Sequence, residues 1–382
     1  MLKKYDVIII GAGSVGTPTA YFLAKEGFKV LVIEKNKAPG RGQNRAAIGG
    51  IRATHSDYAK IKLCLSSIDI FKNWYENTGD DINWYQGGYF YPIYNEKDKE
   101  SVLSLLKIQK SFGLNIDFIS KEDALKVVPD LCSDNLLGAI YSPEDGSASP
   151  LKSNYSFFKQ AKLLDADFIF ESEVIGLIKE KDRFVGVKTN KEDYFADFLI
   201  ISSGKDIELF SKELDIKIPV KSDLHEAGIT EPVARLFDPM IVDIRSYPNS
   251  KNIYFYQNSE GQIVFCLTPM PAKYYESDSC TAEFLPQISS RIFDVYPYFG
   301  NLRIRRIWRG YYPNTPDGNP IIEFINSNVL LLVGMCGQGF MLGPGIGKIS
   351  VKILKNNLSE EEKKIVSDLS LFRKFDNVEF FK

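Results

Sequence analysis

The chain has 382 residues, a formal net charge of −2 from 47 Lys plus Arg against 49 Asp plus Glu, and 44% hydrophobic and 25% charged residues. At ~150 residues per domain that is two domains or one large one, which excludes a peptide-sized binding module and a disordered chain, and the balanced charge excludes nucleic acid as the main partner. Five widely spaced cysteines with no CxxC pair exclude a disulfide framework or a zinc site, and two histidines leave a metal centre or a Ser-His hydrolase poorly supplied.

Lys3 and Lys4 precede Val7-Ile8-Ile9-Ile10, an apolar run too short for a signal-peptide core. No run reaches the ~18 to 20 apolar residues of a membrane span, since Val329 to Leu342 is broken by glycines and Gln338. A cytoplasmic protein is expected. Tyr5 to Ile10 reads as a buried parallel strand, followed by Gly11-Ala12-Gly13-Ser14-Val15-Gly16, a helix over Thr17 to Glu26 stopped by Gly27, and a second strand over Lys29 to Ile33 ending at Glu34 and Lys35. In such a βαβ unit Gly11 permits the tight turn, Gly13 lets backbone approach a pyrophosphate, and Gly16 lets helix pack on strand, while the helix N-terminus offers amide donors. Glu34 can accept both ribose hydroxyls of an adenosine, and its charge disfavours the 2′-phosphate of NADP. FAD and NAD both use this unit, so the choice must come from the rest of the chain.

Residues 39–52 form a loop rich in glycine and arginine, with Gly42, Gln43, Ala47, Ile48, Gly49 and Gly50 placed to run backbone along something flat and charged. Thr54-His55-Ser56-Asp57 reads as a helix start, with His55 in a capping region or exposed. Trp84 to Tyr94 and Asn252 to Leu267 alternate like long antiparallel strands rich in Tyr and Phe, fit to roof a cofactor. Between them, Leu163 to Glu171 and Val174 to Leu177 read as strand and turn, Phe184 to Val187 and Phe195 to Ser202 as strands, and Ser203-Gly204 as a backbone turn. Near the C-terminus a strand Val329 to Val333 leads into Gly334-Met335-Cys336-Gly337-Gln338-Gly339-Phe340 and a helix from about Met341 to Asn356, with Pro344 in its first turn. The positive end of that helix can face a flavin's N1/C2 edge.

In order and spacing these segments carry a resemblance, joined by Gln86-Gly87-Gly88-Tyr89, Gly146 with Pro150, Trp308 through Gly310-Tyr311-Tyr312 to Thr315-Pro316-Asp317, and Gly337 to Met341. The chain resembles the D-amino acid oxidase superfamily of flavin-dependent amine and amino acid oxidoreductases, in the branch of sarcosine oxidase and glycine oxidase. Within it the chain is most similar to the catalytic subunits of dye-linked L-proline dehydrogenases. The resemblance runs nearly end to end. It implies an α/β plus α+β fold: a Rossmann-like FAD-binding domain of the GR2 type from residues 1–80, 141–217 and 302–382, interleaved with a substrate domain from residues 81–140 and 218–301 that holds a mixed or antiparallel sheet flanked by helices. It also implies that Val174 meets the adenine through its backbone.

Oxidising an amine beside a carboxylate needs a hydride acceptor, a cation for the carboxylate and a dry pocket. Arg52 is the leading carboxylate ligand: a guanidinium gives a bidentate fork, and the resemblance puts an arginine of that role here. Tyr254, Tyr256 and Tyr312 are candidate pocket walls that also donate hydrogen bonds, with Gln338 and Met341 completing the substrate set. Arg41 and Arg45 suit phosphate or structural duty. Arg309 reads as a strand-surface charge or a second cation, and His225 as a residue that can approach the flavin. The FAD-contacting set is Gly11, Ala12, Gly13, Ser14, Val15, Gly16, Glu34, Lys35, Gly42, Gln43, Ala47, Ile48, Gly49, Gly50, Val174, Ser203, Gly204, Gly310, Gly337, Gly339 and Phe340.

Three departures from the family pattern sharpen the expectation. Gly310 stands where covalent members carry the flavin-linking cysteine, so FAD should be noncovalent. Cys266 stands where sarcosine oxidase has an oxygen-activating lysine, which predicts electron transfer to a carrier with oxygen a poor acceptor. Met341 replaces a second carboxylate cation, leaving a more apolar pocket suited to a cyclic or N-alkylated amine such as L-proline or sarcosine. A partner subunit is compatible with the resemblance. Two other readings stay open, an FAD-linked hydroxy-acid or polyol dehydrogenase and a flavin-binding electron-relay subunit. The sequence leaves substrate, electron acceptor and oligomeric state undetermined.

Overall fold

The structure, a computed structural model, describes residues 4–274, 277, 279–376 and 378–380. The strand Lys4–Ile10 carries the run Val7 to Ile10, buried throughout. β-branched side chains stiff at χ1 pack well when both faces of a parallel sheet are covered by helices. That strand accordingly lies inside an eight-stranded sheet, parallel to Val30–Ile33 on one side and Asp193–Ile201 on the other. The same complete burial recurs near the other end of the chain: Val329–Val333 is fully buried and pairs in parallel with Asp193–Ile201, so both ends of the sequence enter one sheet. Ile321–Ile325 and Asp167–Ile169 close its two edges, and the hairpin Val174–Glu180 with Arg183–Thr189 leans on Asp193–Ile201. The helix Gly16–Lys25 packs against Gly339–Leu354 and Pro150–Leu163 on one face.

A second eight-stranded sheet runs in the order Ile304–Asn314, Lys221–Pro232, Gln262–Pro269, Ser250–Gln257, Met240–Asp243, Tyr89–Ile93, Gly138–Ser142, Asp117–Ile119. One pair in it, Met240–Asp243 with Tyr89–Ile93, is parallel, so the sheet is mixed. Register places Asp223 opposite Tyr312, His225 opposite Gly310, Ala227 opposite both Trp308 and Cys266, and Cys266 opposite Tyr254. With a side-chain period of two, these residues share one face. The other face buries Phe255, Phe265, Phe284, Ile288 and Tyr296 in a separate core. A short ladder of Gly50–Ile51 with Gly146–Ser147 sits between the two sheets' segments.

Several elements differ from their sequence expectation, each for a local reason. Leu163 ends a helix instead of starting a strand, because Ser149 caps and Pro150 launches Pro150–Leu163, and Asp165 at φ 62° turns the chain into the short strand Asp167–Ile169. Trp84 to Tyr94 contributes only Tyr89–Ile93, since Gly88 at φ 85° interrupts the extended run. Asn252 to Leu267 is a hairpin of Ser250–Gln257 and Gln262–Pro269 about the Asn258–Gly261 turn. The helix expected from about Met341 to Asn356 is Gly339–Leu354, which puts Pro344 inside it rather than in the first turn.

Five helices carry side-chain caps: Asp57, Asn95, Ser120, Ser149 and Ser359 each accept from a backbone N–H in the first turn. Each cap stabilises by about 1 kcal/mol. Among the described residues the other five, Gly16–Lys25, Trp74–Thr78, Ile207–Glu213, Phe284–Phe293 and Gly339–Leu354, have no such bond.

Candidate active site

A cavity of about 1190 Å³ opens between the C-terminal ends of the parallel strands, at Ile10, Ile33, Ser202 and Val333, and the shared face of the second sheet. This is where ligands bind in open α/β sheets, and its volume exceeds the ~300–1,000 Å³ of ordinary small-molecule sites.

At the dinucleotide end the backbone dominates. Gly11 adopts φ 102°, and a Cβ on Gly16 would lie 1.9 Å from the Gly11 carbonyl oxygen, so the turn closes only with glycine at both positions. A Cβ on Gly13 would meet nothing within 4 Å, because Gly13 faces the cavity. Glu34, buried at the end of Val30–Ile33, accepts from the Ala12 N–H at 2.8 Å with Oε2 and from the Asn36 N–H at 2.8 Å with Oε1, which fixes the carboxylate at the cavity wall. Two of the uncapped helices, Gly16–Lys25 and Gly339–Leu354, have N-cap residues that line the cavity, Val15 and Gln338 respectively. Their amides need acceptors, and a pyrophosphate and a flavin carbonyl edge are acceptors of the right kind. Buried Ser203 Oγ, which can donate, and Gln338 Oε1, which accepts, also have no partner among the described residues. The donor set therefore fits FAD. Gly11, Gly13, Glu34, Ser203 and Gly339 would hold it, with Lys35, Gly42, Gln43, Ala47 to Gly50, Val174, Gly204, Gly310, Gly337 and Phe340 also in the wall.

At the opposite end lies Arg52, buried yet lining the cavity. Its Nη1 donates to the Thr54 carbonyl and lies 3.2 Å from His55 Nδ1. A guanidinium has no acceptor, so His55 Nδ1 accepts and the imidazole proton sits on Nε2. Burial, then the charges of Arg52 and Lys60, push His55 far below the usual imidazole range, and it is neutral. That tautomer makes the 3.8 Å approach of His55 Nδ1 to Glu379 Oε1 a proximity rather than an ion pair. Glu379 instead accepts from the Ser56 N–H at 3.0 Å and pairs with Lys60 Nζ at 3.2 Å. Against the upward push of burial, the charges of Lys60 and Arg52 hold its carboxyl well below the usual range. On the other side of the segment Asp145 accepts from the Ala53 N–H at 2.8 Å and the Thr54 hydroxyl at 2.6 Å, and burial pushes it up to about 6. Two carboxylates from distant positions thus clamp residues 53–56, and with them Arg52.

The second sheet supplies the roof. Tyr254 and Tyr312 share a hydrogen bond of 2.8 Å between their hydroxyls, and burial raises both phenols well above their usual value. Cys266 faces the same space, its thiol pushed up to about 11 by burial. His225 stacks on Tyr312 with ring centroids 3.7 Å apart and planes 9° from parallel.

The cavity brings together every expected site residue except Ala12, Gly16 and Tyr256. Ala12 and Gly16 act behind the wall, in the turn itself. Tyr256 donates to the Ile48 carbonyl at 2.5 Å and braces the loop beneath Gly49 rather than walling the pocket. His55 is not an exposed or capping residue: it is fully buried, and Asp57 caps the helix Tyr58–Lys72. Arg309 is not a surface charge either, being buried 3.6 Å from Glu226 and donating to the Ser277 carbonyl at 3.1 Å. Tyr89 and Tyr91 line the cavity from the segment expected to roof a cofactor, though neither was singled out, and sequence reasoning missed Asp223, Met240 and Phe380 as lining residues. For Asp223 and Met240, inward strand alternation was a usable signal; for Phe380 there was none.

Residues 6–353 match the family model described as DAO: FAD dependent oxidoreductase. The glycine oxidase of Bacillus subtilis (strain 168) is 25% identical over 370 residues, covering 93% of this chain and 94% of that protein. The sarcosine oxidase subunit beta of Arthrobacter sp is 24% identical over 353 residues, covering 90% and 85%. The crystal structure of L-proline dehydrogenase from P. horikoshii superposes with a TM-score of 0.90 at 28% identity, covering 98% of both chains.

Proposed function

This chain belongs to the DAO family of FAD-dependent oxidoreductases, and from that premise we propose that it oxidises a small secondary amine or amino acid, L-proline or sarcosine in kind, and passes the electrons to a carrier. The observation that carries the reading is Arg52: a guanidinium lining the cavity, buried, with the carboxylate of Glu379 offsetting the cost of burying its charge. The names of the relatives point the same way, because glycine, sarcosine and L-proline all set an amine beside a carboxylate.

When bound, FAD supplies the hydride acceptor. Arg52 would take the substrate carboxylate, as a guanidinium fork matches its two oxygens. Tyr254 and Tyr312 would close the pocket from above, and Met240 and Met341 would keep it apolar enough for a ring or N-methyl group. Exclusion of water strengthens each of these contacts. The Cys266 thiol stays neutral and offers no cation at the roof to stabilise reduced oxygen, which supports a carrier as acceptor. Gly310 offers no thiol for a flavin link, which supports noncovalent FAD; release of free flavin on acid denaturation tests this, and a yellow band after denaturing electrophoresis would refute it. The division into an FAD domain of 1–80, 141–217 and 302–382 and a substrate domain of 81–140 and 218–301 is part of the same reading, supported by the separation of the two sheets, although Ile304–Asn314 pairs into the second. A partner subunit is also proposed, after the relative named as a subunit beta.

Anaerobic titration decides the reaction. Bleaching of the bound flavin by L-proline or sarcosine is the expected result. Bleaching by hydroxy acids or polyols alone would replace the amine by an alcohol, and no bleaching with any substrate would leave an electron-relay subunit. Reoxidation by air as fast as turnover would overturn the carrier.

A further inference from the structure

An amine that arrives from water near neutral pH arrives as an ammonium, whose nitrogen has no electron pair to help expel a hydride from the adjoining carbon. A proton must leave first. We infer that His225 is the base that takes it, an inference that rests on the amine reading above.

His225 is 7% exposed and lines the cavity on the sheet face shared with Tyr312, Cys266 and Tyr254. Its Nε2 lies 3.5 Å from Asp223 Oδ1, two residues earlier on the same strand, and Asp223 itself accepts from Asn314 Nδ2 at 2.7 Å. A carboxylate on the Nε2 side assigns the proton to Nε2 and leaves the Nδ1 lone pair available. Nδ1 is buried and has no hydrogen-bond partner among the described residues. A buried acceptor without a donor costs ~1–3 kcal/mol, a cost that a donor arriving in the cavity removes. Carboxylate, imidazole and reacting group in sequence are the parts of a general base held by an orienting acid.

His55 provides an internal contrast. It is as deeply buried, and its Nε2 also lacks a partner among the described residues, but that nitrogen carries the ring proton, its Nδ1 is occupied by Arg52, and it does not line the cavity. Burial alone therefore does not single out His225; a vacant ring nitrogen on a residue of the cavity wall does. The groups packed around it are Asp223 from its own strand, Tyr312 from Ile304–Asn314, Cys266 from Gln262–Pro269 and Tyr254 from Ser250–Gln257. Burial raises the two phenols and the thiol, which remain neutral, so Asp223 is the charge acting on the imidazole from its own strand. The Glu226–Arg309 pair belongs to the alternate face of the two strands, and Lys221 is turned over the Tyr274 ring at 3.8 Å. In the step itself the ammonium N–H bond breaks, its electron pair stays on nitrogen and the proton goes to Nδ1. That pair is then free to form the C=N bond as the adjoining carbon gives up its hydride, for which bound FAD would supply the acceptor, and His225 would return its proton to water.

The test is anaerobic rapid mixing of the flavin-loaded protein with L-proline or sarcosine across pH. His225→Gln is expected to slow bleaching ~100- to 1000-fold near pH 7. The deficit should close as pH nears roughly 10, where an ammonium of lysine-like basicity deprotonates unaided. Asp223→Asn should lose less, about tenfold, with the same convergence, and added imidazole should restore part of the rate to His225→Ala. Flavin content and melting temperature report that each variant is folded, and a structural defect would not converge with pH. A deficit equal at every pH, or none, overturns the assignment while the amine reading stands. Failure of the unsubstituted protein to bleach with either amine removes the amine reading, and the base with it.

Discussion

At the dinucleotide end of the cavity, recognition comes from backbone: the turn at Gly11 to Gly16, two helix N-termini, and one carboxylate at Glu34. At the amine end it comes from side chains delivered by residues 52–60, 145, 225, 254, 312 and 379, whose meeting depends on the completed fold. The first kind of site is written locally, because a glycine's missing Cβ and a helix's first amides act wherever that short segment goes. The second kind is written across the chain, and each participant taken alone reads as an ordinary core or surface residue. The difference is one of failure mode as well. Damage at the first end should empty the site, whereas damage at the second should leave a loaded but ineffective one.

Four substitutions would sharpen or break this contrast. The largest effect is expected from Gly16→Val, whose Cβ falls 1.9 Å from the Gly11 carbonyl oxygen. The purified protein should carry no visible flavin absorbance, and a full complement of FAD would break the backbone account. Next, Arg52→Lys should keep its FAD while kcat/KM falls by ~100- to 1000-fold, about 3 to 4 kcal/mol, because an ammonium cannot replace a bidentate fork. An Arg52→Lys protein that loses flavin instead would mean the two ends are one unit. Third, Glu379→Gln removes the charge opposite Lys60 and loosens the residues that position Arg52. KM should rise ~10-fold with kcat changed much less, and equal losses in both would assign Glu379 a general structural role.

The smallest effect is read as a pH slope. His55 is depressed in the folded state, so the unfolded chain binds the extra proton in the window between the folded value and roughly 6.5. Its contribution to stability is therefore complete above about pH 6.5 and is lost as pH falls, by up to ~1.4 kcal/mol per unit. Asp145 has the opposite sign: raised to about 6, it contributes stability below the unfolded carboxylate range that is lost as pH rises through 6. Taking the difference in unfolding free energy between the parent and His55→Gln cancels Asp145 and isolates the histidine. A difference independent of pH between roughly 5 and 7 would mean that His55 is not held neutral.

The same contrast explains what could be read in advance. Gly11, Gly13, Gly16 and Glu34 disclosed the dinucleotide unit because spacing, strand and helix all agreed within 34 residues. Arg52 was identifiable only through resemblance. The burial of His55 was not legible at all, since the residue that accepts from Ser56 beside it is Glu379, 323 positions away from that serine, and no local pattern foretells such a meeting. Nor did Arg309 announce its partner: alternation along Ile304–Asn314 gives its face, but only the packing of the Ser277 carbonyl and Glu226 shows that face to be covered. Where long strands were expected, at Trp84 to Tyr94, the error lay in weighing aromatic alternation above a glycine pair.

The uncapped helices Gly16–Lys25 and Gly339–Leu354, which start at the cavity, have a consequence for how much of this protein a cell can keep. Bound FAD would take the place of a serine or aspartate at their N-terminal amides, which would link folding and flavin supply by mass action. A ligand present at one hundred times its dissociation constant adds about 2.7 kcal/mol to the folded state, more than the ~1 kcal/mol of a conventional cap. Flavin limitation should therefore lower the steady-state amount of folded chain as well as its activity, with the apoprotein cleared faster than the loaded form. The melting temperature of the purified apoprotein should climb with added FAD in proportion to the logarithm of its concentration, a dependence that a protein with self-capped helices would not need.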